Sequence, residues 1–240
     1  MTIRYALTRL LRQSRPLFWF YTGGIFLLGA LGGAVAAHAR IPWESGVFIA
    51  AWAWFALGEN FFGVFLNDYC DREADRLNPR KTLRWDEALA AWAWALAALS
   101  VAAFIAVAYA AGSPVLWVYG GVFFIGNVLY DVPPARLKTR PPFDLLIGAS
   151  CALPPLFAGY SMVSGEWPPL WAVVVGVGVL ALFDFIDKLF DAQADAAAGL
   201  TTTATALRLR LGGNTHRRVQ WLFALLGTLV AAYVWYLYLT

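Results

Sequence analysis

Apolar residues in this chain come in long runs rather than at every third or fourth position. Seven runs, at about 17–37, 47–66, 88–111, 115–130, 143–161, 168–187 and 219–239, reach or approach the roughly 20 helical residues that cross a bilayer core. They predict membrane-spanning helices. The run at 115–130 is short, and Gly112-Ser113-Pro114 ahead of it reads as a tight hairpin. Polar residues collect between alternate runs, which places most of them on one side of a membrane.

Composition supports a lipid solvent. Hydrophobic residues make up 60% of the 240 positions and charged residues 14%, against roughly 25% charged in soluble domains. Mean hydropathy is +0.61, and a soluble chain of this size cannot enclose so much apolar surface. The basic residues give the orientation. Of 18 Lys and Arg, only Arg40 falls in an odd-numbered loop; the other 17 precede the first run or follow an even-numbered one. The N-terminus and the even loops are therefore expected in the cytoplasm, with the C-terminus of a seven-span protein of the cell membrane opposite. The basic start, the first run and Ala37-His38-Ala39 imitate a signal peptide. The run is too long and too rich in Gly and aromatics for one, so it reads as an uncleaved span. Cys70, Cys151, His38 and His216 are isolated, which points to neither a disulfide framework nor a zinc site.

The acidic residues are patterned. After the second run the chain reads Asn67-Asp68-Tyr69-Cys70-Asp71-Arg72-Glu73-Ala74-Asp75, and after the sixth Asp187-Lys188-Leu189-Phe190-Asp191-Ala192-Gln193-Ala194-Asp195. In both, polar ligands stand at i, i+4 and i+8, one face of a helix. Each ladder comes after the second span of a unit that begins near residue 17 or 143, so the chain reads as two repeats, about 1–140 and 141–240, in one domain. Such repeats commonly place a site at their interface. Stacked carboxylates repel unless a cation joins them, and hard oxygens from Asp and Asn suit Mg²⁺ shared with phosphates. The interleaved Arg and Lys supply donors for phosphate oxygens.

A third segment, Tyr130-Asp131-Val132-Pro133-Pro134-Ala135-Arg136-Leu137-Lys138, is expected to aim Arg136 and Lys138 at a diphosphate from a proline-stiffened loop. Loop cations of that kind add little to packing, so losing Lys138 is expected to spare the fold. Asp144 opens the next span and is placed to orient either cation. Within the second span Glu59 and Asn60 are polar at membrane depth, where such residues default to function. Asn60 lies two turns below Asn67 on roughly the same face and is read as pocket-lining; Glu59 points elsewhere, and its role is open.

Asn67-Asp68-x-x-Asp71-x-x-x-Asp75, the Tyr130 to Lys138 loop and Asp191-x-x-x-Asp195-x-x-x-Gly199 together resemble the UbiA-type intramembrane prenyltransferase family, in family order and over essentially the whole chain. Asn78-Pro79-Arg80-Lys81, Gly199-Leu200-Thr201-Thr202-Thr203-Ala204-Thr205 and Ser14-Arg15-Pro16 look like its carotenoid-directed, lycopene elongase branch. The resemblance implies an all-α bundle around a central cavity, usually of nine spans where seven are read here. It implies an allylic prenyl diphosphate donor with Mg²⁺, held by Asn67, Asp68, Asp71, Asp75, Asp191 and Asp195. Asp71, Asp75, Asp191 and Asp195 are the residues expected to carry catalysis, with Arg72, Tyr130, Arg136 and Lys138 on the diphosphate.

The expected chemistry is ionisation of the donor, with Mg²⁺ and fixed cations neutralising the departing diphosphate. Aromatic faces near the ladders, from Phe62, Phe65, Tyr69, Phe123 and Tyr130, are candidates to shelter the allylic cation. The partners are a prenyl diphosphate, a lipophilic acceptor such as lycopene and membrane lipids, with no nucleic acid. Two other readings use the same residues. One is an aromatic quinone precursor or a tetrapyrrole as acceptor; the other is a transporter of cations or phosphate compounds, against which the mostly apolar span interiors speak.

Overall fold

Every regular element among the described residues is helical. This computed structural model describes residues 3–75, 87–197 and 199–211, with positions 221 and 225. The Asn78-Pro79-Arg80-Lys81 stretch and all but two positions of the expected last span lie outside them.

A short helix, α1 (Ile3–Gln13), buries Leu10 completely. The chain then turns at Arg15 into α2 (Pro16–Ala36), whose leading proline suits a position where no backbone N–H is needed. The second expected span is helical without interruption from Gly46 to Cys70. It consists of α3 (Gly46–Ala53), one π-helical turn (Trp54–Gly58) and α4 (Glu59–Cys70). Asp71 ends it, and α5 (Arg72–Asp75) adds a last turn. Next come α6 (Glu87–Ala111) and α7 (Pro114–Asp131), joined by the expected hairpin. Gly112 turns it at φ +60°, a conformation that glycine takes without a Cβ penalty.

The run at 143–161 is one expected span but two helices, α8 (Phe143–Ala152) and α9 (Pro154–Ser164). Pro154 and Pro155 have no N–H to return to the carbonyls of the preceding turn, which breaks the helix at Leu153. α10 (Leu170–Ala197) continues ten residues past the expected end at 187. At 1.5 Å per residue its 28 residues reach about 42 Å, more than a hydrocarbon core of about 30 Å. The second ladder therefore stands on helix rather than in a loop. Gly199, at φ +71°, closes α10, and α11 (Thr203–Leu211) comes after it. Among the described residues three helices, Pro16–Ala36, Gly46–Cys70 and Glu87–Ala111, can cross a membrane by length and composition; Leu170–Leu182 is a shorter apolar helix.

The two halves meet along a seam between α2, the opening helix of the first repeat, and α9, the second part of the span that opens the other. Gly29 and Gly33 of α2 lie against the carbonyls of Leu156 and Tyr160, and Gly159 of α9 lies against that of Phe26. A methyl group at any of the three would collide with partner backbone. This is small-residue packing, which lets helices approach closely where lipid offers no hydrophobic drive. Beside the seam Trp54 fills the core, with ring centroids 4.6 Å from Phe104 and 5.8 Å from Phe123. The π turn that carries Trp54 is held from α6: Trp54 Nε1 donates to the Ser100 carbonyl (2.8 Å), and Ser100 Oγ donates to the Gly58 carbonyl (2.6 Å). One backbone acceptor of the wide turn, the Gly58 carbonyl, thus finds its partner on α6.

Candidate active site

Asn67 and Asp71 stay on one face because the N–H of Asp71 still bonds the Asn67 carbonyl (2.9 Å), and that of Asp75 bonds Asp71 (2.8 Å). Against this face stands the loop after α7. Lys138 is 7% exposed, and its Nζ donates to Asp71 Oδ2 (2.7 Å), Asp131 Oδ1 (2.7 Å) and Asn67 Oδ1 (3.2 Å). Arg136 Nη2 takes the other oxygen of Asp71 at 3.0 Å, while its Nε is buried without a partner among the described residues. Asp68, one residue along, accepts from Asn67 Nδ2 (3.3 Å) and is also met from the N-terminal segment. Arg15 Nη2 meets its Oδ1 at 2.9 Å, and Gln13 Nε2 meets its Oδ2 at 3.4 Å. Both arginines sit at positive φ, Arg15 at 53° and Arg136 at 38°. That conformation costs a non-glycine residue about 1–2 kcal/mol and persists only where surrounding contacts impose it.

The end of α7 ties both ladder helices together. Asp131 reaches the first ladder through Lys138. Its neighbour Tyr130 accepts a hydrogen bond at its hydroxyl from Lys188 Nζ of α10 (2.6 Å), and Lys188 also holds Asp184 Oδ1 one turn back (3.1 Å). The side chain of Asp191 lies outside the described residues, as does that of Asp187. Asp195 is half-buried on α10.

Of the residues expected at the site, the structure gathers Asn67, Asp71, Arg136 and Lys138 directly, with Asp68 adjoining and Tyr130 beside the second ladder helix. Asp75 lies one turn on, half-buried in α5. Three others are occupied elsewhere. Asn60 Nδ2 donates to Thr22 Oγ1 (3.1 Å) and the Ala56 carbonyl (2.9 Å). Arg72 is exposed, folds back to the Tyr69 carbonyl (2.9 Å) and covers the Tyr69 ring at 4.4 Å. Asp144 is fully buried and accepts from both the N–H (2.8 Å) and the hydroxyl of Thr203. There it supports the start of α11, alongside a cap in which Thr205 N–H bonds Thr202 Oγ1 (3.1 Å) and Thr202 N–H bonds Thr205 Oγ1 (2.7 Å). The Gly199 to Thr205 stretch thus has a structural task of its own.

The expectation for Lys138 needs correcting. It is not a loosely held loop cation; it is buried among three acceptors, so its loss would strand Asp131, which is 1% exposed. Among the aromatic candidates, Phe123 is buried in the core with Trp54, and Phe62 packs on Phe124 at 4.8 Å. Lys188, expected among the interleaved cations on phosphate, is here on Tyr130 and Asp184; motif spacing assigns no partner to Arg15 and no role to Gln13. Nothing local separates Arg15 from the other arginines that precede the first span, because its role depends on a partner 53 positions away.

The sequence profile of the UbiA prenyltransferase family matches residues 19–240, nearly the whole chain. The chain belongs to that family. As a UbiA member it is a membrane protein and a prenyltransferase. Its similarity to the lycopene elongase/hydratase of Halobacterium salinarum is 33% identity over 195 residues, 81% of this chain and 69% of that protein. To the lycopene elongase/hydratase of Haloferax volcanii it is 31% over 223 residues, 91% of this chain and 69% of the relative. A UbiA homolog from Archaeoglobus fulgidus bound to GPP and Mg²⁺ shares the fold at a TM-score of 0.67 and 21% identity, covering 95% of this chain and 78% of that one. The same homolog bound to DMAPP and Mg²⁺ gives an equal score. The all-helical UbiA fold expected from the Asp motifs is the fold observed.

The residues fit the groups the family implies. Asn67, Asp68 and Asp71 are hard oxygen donors of the kind Mg²⁺ prefers, although no group of three acidic, His or Cys side chains among the described residues is by itself arranged to hold a metal. The buried, unpartnered Nε of half-buried Arg136 is a spare guanidinium donor beside them, as an incoming phosphate oxygen requires.

Proposed function

We propose that this UbiA prenyltransferase takes a short allylic diphosphate with Mg²⁺ and attaches its prenyl group to a long apolar polyene, a carotenoid such as lycopene. The observation that carries the donor half is the clamp on Asp71, with Lys138 on one carboxylate oxygen and Arg136 on the other. Each cation has a second use: Lys138 also bridges to Asp131, and Arg136 keeps an unspent donor. In this reading Asn67, Asp68, Asp71, Asp75, Asp191 and Asp195 hold Mg²⁺, which when bound supplies positive charge to the leaving diphosphate. Arg136 and Lys138 turn from the carboxylates to the phosphate oxygens, while Arg15 and Gln13 keep Asp68 oriented.

The acceptor half rests on the lycopene elongase/hydratase relatives and on the span interiors. Asn60, the polar residue two turns below Asn67, is closed off by Thr22 and Ala56, so it offers little to an acceptor carboxylate. The distribution of basic residues makes the membrane surface that holds the ladders the cytoplasmic one. Cysteine accessibility should therefore place Met1 and Asp71 on one side and Thr240 on the other.

Pigment analysis of a lycopene-producing host that expresses this chain tests the whole. The expected product is a longer, prenylated carotenoid. Prenylation of 4-hydroxybenzoate by the same membranes, without any change in the carotenoids, would move the acceptor to the aromatic class.

A further inference from the structure

Glu59 stands at membrane depth in the Gly46–Cys70 helix and is 7% exposed. Its Oε2 is fully enclosed with no hydrogen-bond partner among the described residues. The polar groups around it are closed: Asn60 on Thr22 and Ala56, Trp54 on Ser100, Ser100 on the Gly58 carbonyl. Glu59 directly follows the π turn, whose extra residue resets where the next side chain points. Glu59, Gly63 and Asn67 stand at i, i+4 and i+8 on α4, and Gly63 lies against Asn127 and Phe123 of α7, so this row of the helix faces the bundle. An enclosed carboxyl without a donor is costly, and an ionisable group kept at membrane depth at that cost defaults to function. Isolated turns of this kind are often found at functional sites.

We infer that Glu59 is the catalytic base that ends the reaction at the acceptor. Asn67 lies eight residues further along the helix, about 12 Å at 1.5 Å per residue. A diphosphate at the ladder, the donor's C1 and the acceptor's reacting carbons occupy successive levels of that depth. The C1–O bond of the donor breaks, and its electron pair leaves with the diphosphate. The acceptor's terminal double bond supplies the pair for the new C–C bond, which leaves a tertiary cation on its neighbouring carbon. That cation is discharged in one of two ways. It loses an adjacent proton to the Glu59 carboxylate and becomes an alkene, or it takes a water whose proton passes to Glu59 and becomes a tertiary alcohol. The proton returns to bulk water as products leave. The inference deepens the proposed function and depends on its premise that a double bond attacks an allylic cation.

The test compares the parent with Glu59→Gln and Glu59→Asp, using labelled dimethylallyl diphosphate, Mg²⁺ and lycopene in membranes. Glutamine is nearly isosteric, and Oε2 has no hydrogen bond to lose, so the variant keeps the fold. It is expected to bind donor at the parent's affinity while turnover falls about a hundredfold, within the usual range for a lost general base. The alkene-to-alcohol ratio of the residual product should shift, and Glu59→Asp should recover part of the rate. A Gln variant with the parent's rate and product ratio overturns the inference. So does a loss of donor binding in step with turnover, which would make the position structural. If the parent prenylates an aromatic acceptor instead of the polyene, the acceptor reading fails on its own, and the Glu59→Gln rate on that acceptor decides the base.

Discussion

The two Asp ladders share a spacing and differ in their surroundings. Asn67, Asp71 and Asp75 end a helix, and cations from distant segments close on them: Arg15 on neighbouring Asp68, Arg136 and Lys138 on Asp71. The second ladder rides on one long helix, where Lys188 comes from the ladder's own turn and pairs with Asp184 four residues back. The first ladder is met by cations from other segments, whereas the second is carried on α10, which packs on α11 through Leu189, Ala192 and Ala204. The proposed donor site thus joins a ladder whose cations come from distant segments to one whose cation is local.

Removing the metal tests the common part of this contrast and should have the largest effect. With chelator, binding of labelled geranyl or dimethylallyl diphosphate should disappear, since both ladders are left with unscreened carboxylates. Donor that still binds in chelator would mean that Arg136 and Lys138 suffice. Next, Asp71→Ala and Asp191→Ala should each lower turnover about a thousandfold, the upper range for one lost electrostatic contributor. Parental turnover in either variant breaks the two-ladder site.

Lys138→Ala sharpens the asymmetry. Stranding a buried partner typically costs about 3–5 kcal/mol, so thermal stability should drop along with turnover. A second change, Asp131→Asn, should restore stability but not activity. If the single variant melts like the parent, the loop is less embedded than its three hydrogen bonds indicate. Smallest is Tyr130→Phe, which deletes one hydrogen bond to Lys188. A net cost of about 1 kcal/mol should show as a roughly tenfold or smaller loss of turnover, with donor binding retained.

Much of the fold was legible because long apolar runs and i, i+4, i+8 carboxylates are local signals. The runs at 17–37, 47–66, 88–111 and 115–130 emerge as helices with nearly those bounds. What the sequence hid is non-local or depends on small backbone changes. Pro154-Pro155 splits an apolar run without altering its hydropathy, and α10 outlasts its apolar stretch because nothing in Asp187 to Ala197 stops a helix. Asp144 sits in the right loop for a diphosphate ligand, yet its oxygens go to Thr203, a partner 59 residues away. Arg72 belongs to the motif by position but lies off the ladder's face. Spacing names the ligands on one helix, whereas the cations that meet them come from segments whose approach is decided by packing.

The glycine seam between α2 and α9 has a consequence for biogenesis. During synthesis α2 enters the bilayer more than a hundred residues before α9 exists, so for that interval the groove of Gly29 and Gly33 faces lipid tails or the insertion machinery. The fit is too close to tolerate a methyl group, and it cannot be approached gradually by soft side chains; docking must be a late, all-or-none closure of the second half on the first. Two separately expressed fragments, cut in the hairpin at Gly112, should therefore find each other in the membrane and restore activity, whereas Gly33→Leu in the first fragment should leave both inserted and unjoined.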